Sequence, residues 1–142
     1  MFQGGAKLSL DAKGRMMVPA RYRDALAAQC NGQLTLTKNP AGCLLMYPRP
    51  TWLALRERIA ALPIDAMEWR RILLGYAADV ELDGAGRLLI APELREAARL
   101  ERDVQLVSVG THFEIWDAAL RAERESAVDP NQPPPSLAGF AM

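Results

Sequence analysis

Hydrophobic positions follow two different periods along the chain. From Lys7 to Leu10, and again from Asp79 to Leu82, apolar and polar residues alternate, the period of a strand with one covered face. Each segment runs through a tight polar turn into an apolar run that starts at Arg15 (RMMVP) or Arg87 (RLLIAP). These runs of four to five residues predict strands buried on both faces. A proline then opens a short helix, Ala20 to Ala28 in the first case and Glu93 to Leu100 in the second. A hairpin follows each helix: Gln33–Thr37 with Cys43–Tyr47 across KNPAG, and Val104–Val109 with Phe113–Trp116 across the nearly minimal GT. The two connections should differ in shape.

Between these blocks the period becomes helical. Trp52, Leu55, Ile59 and Leu62 share one stripe, and beyond Pro63 the pair Asp65 and Glu68 predicts a capping box opening a second helix with the stripe Trp69, Ile72, Leu73 and Tyr76. Both read as packing helices, with the tryptophans at 52, 69 and 116 in the core. A third helix is predicted from Asp117 to about Ser126. The proline-rich end, DPNQPPPSLAGFAM, predicts an extended, mobile tail.

The two strand-rich blocks are copies of each other. At an offset of 72 they share Leu10/Leu82, Asp11/Asp83, Gly14/Gly86, Arg15/Arg87, Arg23/Arg95, Ala25/Ala97, Gln33/Gln105 and Leu34/Leu106. Duplication organises the chain as a first repeat over residues 5–51, a connecting helical segment over 52–76, a second repeat over 77–120, and a helix end with its tail over 121–142. Strands this short cannot stand alone, so the two copies should complete one barrel together.

Composition excludes several classes. Half of the 142 residues are hydrophobic, enough for one sizeable core, yet no run approaches the length of a membrane span. MFQGGAK carries no charged flank ahead of an apolar stretch, which predicts a cytoplasmic protein without an export signal. Cys30 and Cys43 match no paired spacing and read as reduced, structural thiols, with no metal site. The net charge of zero hides a gradient: residues 1–51 carry seven Lys or Arg against Asp11 and Asp24, a net of +5, and the remainder carries −5. Such asymmetry points to a polyanionic partner for the basic half, to head-to-tail association between copies, or to both.

The repeated turn carries the candidate chemistry. In DAKGR and DGAGR the aspartate can accept from a backbone N–H two residues on, and the glycine supplies positive φ, so Asp11, Gly14, Asp83 and Gly86 build the turns. Neither turn nor core requires the arginine. It is either a solvated charge paired with the aspartate or a rigidly held planar donor for phosphate or the guanine edge. Recurrence in both copies favours the donor.

MFQGG, LSLDAKGRMMVPARYRDAL, ELDGAGRLLIAPELREAA and VSVGTHFEIWD together resemble the MraZ family of bacterial transcriptional regulators, built from two tandem SpoVT/AbrB-type repeats, from Met1 to about Leu120. The resemblance implies a mixed β fold with short helices, a tandem-repeat, swapped-hairpin β-barrel flanked by helices. It implies subunits assembled into a ring-shaped homo-oligomer, located with the nucleoid. The partner it implies is double-stranded DNA, with repeated G-rich boxes in the promoter of a division and cell-wall gene cluster bound through DxxxR turns; no cofactor, membrane or small-molecule substrate is implied. Carried over residue by residue, the motif reaches Asp11, Lys13, Gly14 and Arg15 in the first copy and Asp83, Gly86 and Arg87 in the second. The second turn has Ala85 in place of Lys13 and lies among Asp79, Glu81 and Glu93, which assigns the main DNA face to the first copy. There Arg15 reads base edges, and Lys7, Lys13, Arg21 and Arg23 are the candidate phosphate contacts.

Two other classes compete. An enzyme would need more than the single His112, which has no motif partner, and no nucleophile signature or phosphate loop is present. The alternative with more support is a protein-interaction or antitoxin-type module of the broader AbrB-like superfamily, separable from DNA binding by salt dependence.

Overall fold

The alternating segments of both copies meet in one antiparallel sheet. The computed structural model describes all 142 residues. In chain order it contains β1 (Gly5–Ser9), β2 (Arg15–Met17), α1 (Ala20–Cys30), β3 (Gln33–Lys38), β4 (Leu44–Pro48), α2 (Arg49–Ala60), α3 (Met67–Gly75), β5 (Ala78–Glu81), β6 (Arg87–Leu89), α4 (Pro92–Ala97), β7 (Asp103–Ser108), β8 (Phe113–Asp117) and α5 (Ala118–Ser126). Six strands form a sheet in the order β1-β7-β8-β4-β3-β5, while β2 and β6 form a separate two-stranded ribbon.

The copies exchange edges. The first strand of the first copy lies on the second copy, with Lys7 opposite Gln105, and the first strand of the second copy lies on the first, with Leu34 opposite Val80. The hairpins join at the centre through β4 and β8, where Leu44 faces Ile115. The expected closed barrel does not form. Strands β1 and β5 end the sheet on opposite sides, and no ladder joins them to the ribbon. The three-residue ribbon strands spend their backbone groups on one another and on the turn glycines, with the Val18 N–H donating to Gly86 O and the Ile90 N–H to Gly14 O, both at 3.0 Å.

Strand alternation gives the sheet two covered faces. On one, Leu34, Leu36, Leu44, Met46, Val104, Leu106, Phe113 and Ile115 pack under the ribbon and under α1 and α4, which contribute Met16, Val18, Leu88, Ile90, Leu26 and Leu94. On the other, Cys43, Leu45, Tyr47 and Trp116 meet Trp52 and Ile59 of α2. Both cysteines are buried and unpaired, and burial with the nearby Glu114 carboxylate pushes the Cys43 thiol up to about 12, so it stays protonated.

Three further sequence expectations need correction. The ribbon strands are buried on one face only: Met16 and Leu88 point inward with no exposure, whereas Met17 is 45 % and Leu89 53 % exposed, because nothing packs over the outer face of the ribbon. Trp69 is 55 % exposed and α3 has no fully buried residue; within the helix Leu73 and Leu74 pack partly against the core on the α2 side. The predicted capping box is absent; a 3-10 turn at Ile64–Ala66 leads into α3 without a side-chain cap. Asp117 does cap α5, accepting from the Leu120 N–H at 3.0 Å. The chain after α5 is exposed throughout and contains one 3-10 turn at Pro135–Leu137.

Candidate nucleic-acid interface

Two local rules build each turn. Asp11 Oδ1 accepts from the Lys13 N–H at 3.0 Å and from the Arg15 N–H at 2.9 Å; Asp83 Oδ1 accepts from the Ala85 N–H at 2.9 Å and the Arg87 N–H at 2.8 Å. Gly14 and Gly86 complete the reversals at φ 84° and 82°, a region closed to most side chains. The same aspartates hold the arginines: Arg15 Nε donates to Asp11 Oδ2 at 2.7 Å, and Arg87 Nε to Asp83 Oδ2 at 2.9 Å. The Arg15 backbone N–H above all, with Arg15 Nε and the Lys13 N–H, brings the Asp11 carboxyl down to about 2, against a smaller opposing effect of desolvation. Asp83 is lowered by the equivalent groups, led by the Arg87 N–H.

Only Nε is engaged in either pair. The terminal amino groups of both guanidiniums carry no hydrogen bond within the chain, and both side chains are partly exposed. Aspartate pairing and presentation of a planar donor are therefore compatible: the carboxylate fixes the plane from one edge and leaves the opposite edge open.

The ribbon brings the two arginines together. In its antiparallel register Arg15 lies opposite Leu89 and Met17 opposite Arg87. Residues 15, 17, 87 and 89 alternate with the buried Met16 and Leu88, so two arginines and two exposed apolar side chains share the outer face. Of the three acids expected around Arg87, two are engaged elsewhere, while Glu93, in the first turn of α4, makes no side-chain bond. Asp79 accepts from Thr35 Oγ1 at 2.9 Å and lies 3.6 Å from Arg49 Nε, and Glu81 accepts from Gln33 Nε2 at 3.3 Å.

The remaining basic candidates are dispersed. Lys13 sits in its turn, exposed. Lys7 alternates with Ala6 and Leu8, which turn toward the ribbon-side core, and so faces the α5 side near Asp103, Gln105 and Glu125. Arg21 donates to Gly5 O at 2.8 Å and stacks on Tyr22 with 4.5 Å from Cζ to the ring centroid. Arg23 crosses to the other copy, where Nη1 donates to Ala85 O at 3.2 Å. Arg95, not among the sequence candidates, takes the matching place beside Gly14. The signal for it was its alignment with Arg23 at the repeat offset.

Comparison with known proteins agrees with the duplication. The family model described as "MraZ protein, putative antitoxin-like" matches twice, over residues 1–75 and 73–120. Proteins named transcriptional regulator MraZ from Cupriavidus pinatubonensis and from Janthinobacterium sp. strain Marseille are 58 % and 59 % identical over 142 residues, covering all of both chains in each case. The namesake from Herminiimonas arsenicoxydans is 64 % identical over 126 residues, 89 % of each chain. With a family model matched through residue 120 and relatives this similar along their full length, the chain belongs to the MraZ family.

Proposed function

We propose that the protein is a transcriptional regulator that binds double-stranded DNA through the outer face of the β2–β6 ribbon and its two DxxGR turns. The observation that carries this reading is the shared face of Arg15 and Arg87, each guanidinium fixed by an aspartate through Nε with its far edge free. Two-stranded ribbons fit the major groove, where a bidentate arginine reads guanine O6 and N7, and apolar side chains such as Met17 and Leu89 suit thymine methyl groups. Lys13 at the tip is a phosphate contact, and Lys7 and Arg21 contribute to the basic field of the first copy.

The same reading extends to assembly and target. The two copies form a swapped-hairpin unit, and basic and acidic parts of neighbouring subunits associate head to tail into a ring. A ring presents several ribbons at fixed spacing to repeated G-rich boxes upstream of a division and cell-wall gene cluster, and the resulting avidity raises affinity about 10²–10⁴-fold over a single box. A second reading, a protein-interaction module, is favoured by two exposed side chains, Ile64 in the 3-10 turn before α3 and Trp69 on α3. A gel shift on the DNA upstream of the gene, with one, two or three boxes and across salt concentrations, separates the two. Specific binding that weakens with salt and grows with box number supports the DNA reading. Indifference to both sinks it in favour of protein interaction.

A further inference from the structure

Each DxxGR turn is covered by an arginine from the opposite copy. A Cβ built on Gly14 would lie 2.6 Å from both Cζ and Nε of Arg95 and 3.1 Å from its Cδ. A Cβ on Gly86 would overlap Arg23 Cδ and lie 2.6 Å from its Nη1 and 2.9 Å from its Nε. With the arginines where they lie neither glycine has room for a Cβ, so its absence admits a guanidinium across the turn as well as permitting the positive φ. Arg23 and Arg95 sit at the same place in the two repeats, on α1 and α4. The arrangement is a reciprocal exchange.

Polar contacts fix both arginines where they lie. Arg23 Nη1 donates to Ala85 O, inside the second turn, and its Nε is buried without a partner. An unpaired buried donor is costly, so what holds the side chain is the Nη1 bond to Ala85 O and the packing of its stem against Gly86. Arg95 Nε donates at 2.9 Å to Ile90 O, while the Ile90 N–H bonds Gly14 O, so this side chain holds the strand that in turn holds the first turn. Gly86 O accepts the matching bond from the Val18 N–H, two residues before α1 begins.

We propose that Arg23 and Arg95 are positioning residues for DNA binding that brace the turns crosswise: Arg23 holds the Asp83–Arg87 turn and Arg95 holds the Asp11–Arg15 turn. This rests on the reading of the ribbon as the DNA face. The consequence is that the acidic second copy contributes to the basic one even where it touches no DNA, since Arg95 governs how rigidly Arg15 is presented. A pre-set guanidinium binds more tightly because less freedom is lost on contact. Arg23 reaches DNA through the second turn, not by a phosphate contact of its own.

The test is amide hydrogen exchange on the DNA-free protein with Arg23→Gln and Arg95→Gln. Arg23→Gln is expected to speed exchange about tenfold at Ala85 to Arg87 and leave Lys13 to Arg15 unchanged, and Arg95→Gln to do the reverse, as local opening independent of global unfolding. Faster exchange at the variant's own turn, or spread evenly over the chain, would overturn the proposal. DNA affinity is read alongside. Each variant should bind about tenfold more weakly with its salt slope unchanged, whereas loss of a phosphate contact lowers that slope by about one. A lowered slope for Arg23→Gln would make it a phosphate contact and defeat the brace. If Arg23→Gln fails to fold, Arg23→Lys keeps the charge and stem without the planar group, and an exchange pattern identical to the parent's would equally defeat it. Arg15→Ala serves as the reference: if it binds DNA like the parent, the DNA reading has failed, while the crossed exchange pattern stands or falls separately.

Discussion

The turns at Asp11–Arg15 and Asp83–Arg87 are nearly superimposable in their bonding and opposite in their surroundings. Glycine φ angles differ by two degrees, at 84° and 82°, and the aspartate-to-arginine distances are 2.7 and 2.9 Å. Yet one turn carries Lys13 in the basic part of the chain and the other Ala85 in the acidic part. Local geometry is therefore set by the aspartate, the glycine, the backbone donors and the arginine crossing from the other copy, over distances of about 3 Å where a hydrogen bond outweighs a screened charge several residues away. Surrounding charge is free to change without disturbing the turn, so the two copies can keep one shape and divide the electrostatic work.

The largest effect should come from breaking that shape. Gly14→Val or Gly86→Val must place a β-branched side chain at positive φ and also displace an arginine from the other copy, and strain of this kind costs about 1–3 kcal/mol before the lost packing is counted. Gly84 provides the control within the same loop, since it has no positive φ and no atom within 4 Å of a built Cβ. Thermal melts should show Gly86→Val well below the parent and Gly84→Ala close to it. Similar melting temperatures for Gly84→Ala and both valine variants would mean that the two turns do not share the geometry described.

Next comes the division of DNA contact between the copies. Arg15→Ala and Arg87→Ala should each cost about 1–3 kcal/mol of binding per site, with the fold retained, because the backbone N–H of each residue closes the turn and survives the truncation. Arg15→Ala should cost more, since its neighbourhood attracts the phosphates. Equal losses would show the copies to be equivalent readers, and no loss from Arg87→Ala would confine reading to the first.

Much of this site was legible in the sequence because it is local. Asp11 and Gly14 predict their own hydrogen bond and φ from a five-residue window, and Asp83 and Gly86 repeat the prediction. The helices and hairpins likewise fall within a few residues of the expected bounds, and the motifs QGG, DAKGR and FEIWD indicated the family. What was not legible depends on partners far along the chain. The burial of only one face of MMV and LLI follows from β2 pairing with β6 and nothing covering their outer side, which no window around Met17 or Leu89 reveals. Trp69 reads as core from its stripe, but Leu73 and Leu74 are the α3 residues that reach the core, and Trp69 stays exposed. The open sheet in place of a barrel, and the reach of Arg23 over 62 positions to Ala85, are likewise properties of the assembled fold.

A smaller change exchanges the residue that differs at the turn tips. Lys13→Ala should lower the salt slope of DNA binding by about one, and Ala85→Lys should raise it by about one if the second tip lies against phosphate. Measuring affinity from low to moderate salt with both variants sharpens the comparison directly. An Ala85→Lys protein whose slope matches the parent's would place only the first tip at the DNA backbone.

The smallest expected effect is that of pH, and it separates the turns from the far end of the sheet. Asp11 titrates at about 2 in the folded protein, below the roughly 3.9 of an unstructured aspartate, so its contribution is fully present above that unfolded value and is lost only as pH falls toward 2. Asp83 shifts in the same direction. Neither turn should respond between pH 5 and pH 8. His112 is different: burial lowers its pKa against an opposing pull from Glu114, and its ring stacks on Tyr47 at 4.2 Å. A depressed histidine favours the neutral form in the folded state, so stability is fully present above the unfolded pKa of about 6.5 and declines as pH falls through it. The partial exposure of the ring keeps this small. Melting temperatures should dip slightly from pH 8 to pH 5 in the parent and less in His112→Gln, while DNA affinity at fixed ionic strength stays level in both. An affinity step in that range that persists in His112→Gln would mean that a group at the ribbon titrates near neutrality, and the picture of two fully ionised Asp–Arg pairs would have to be abandoned.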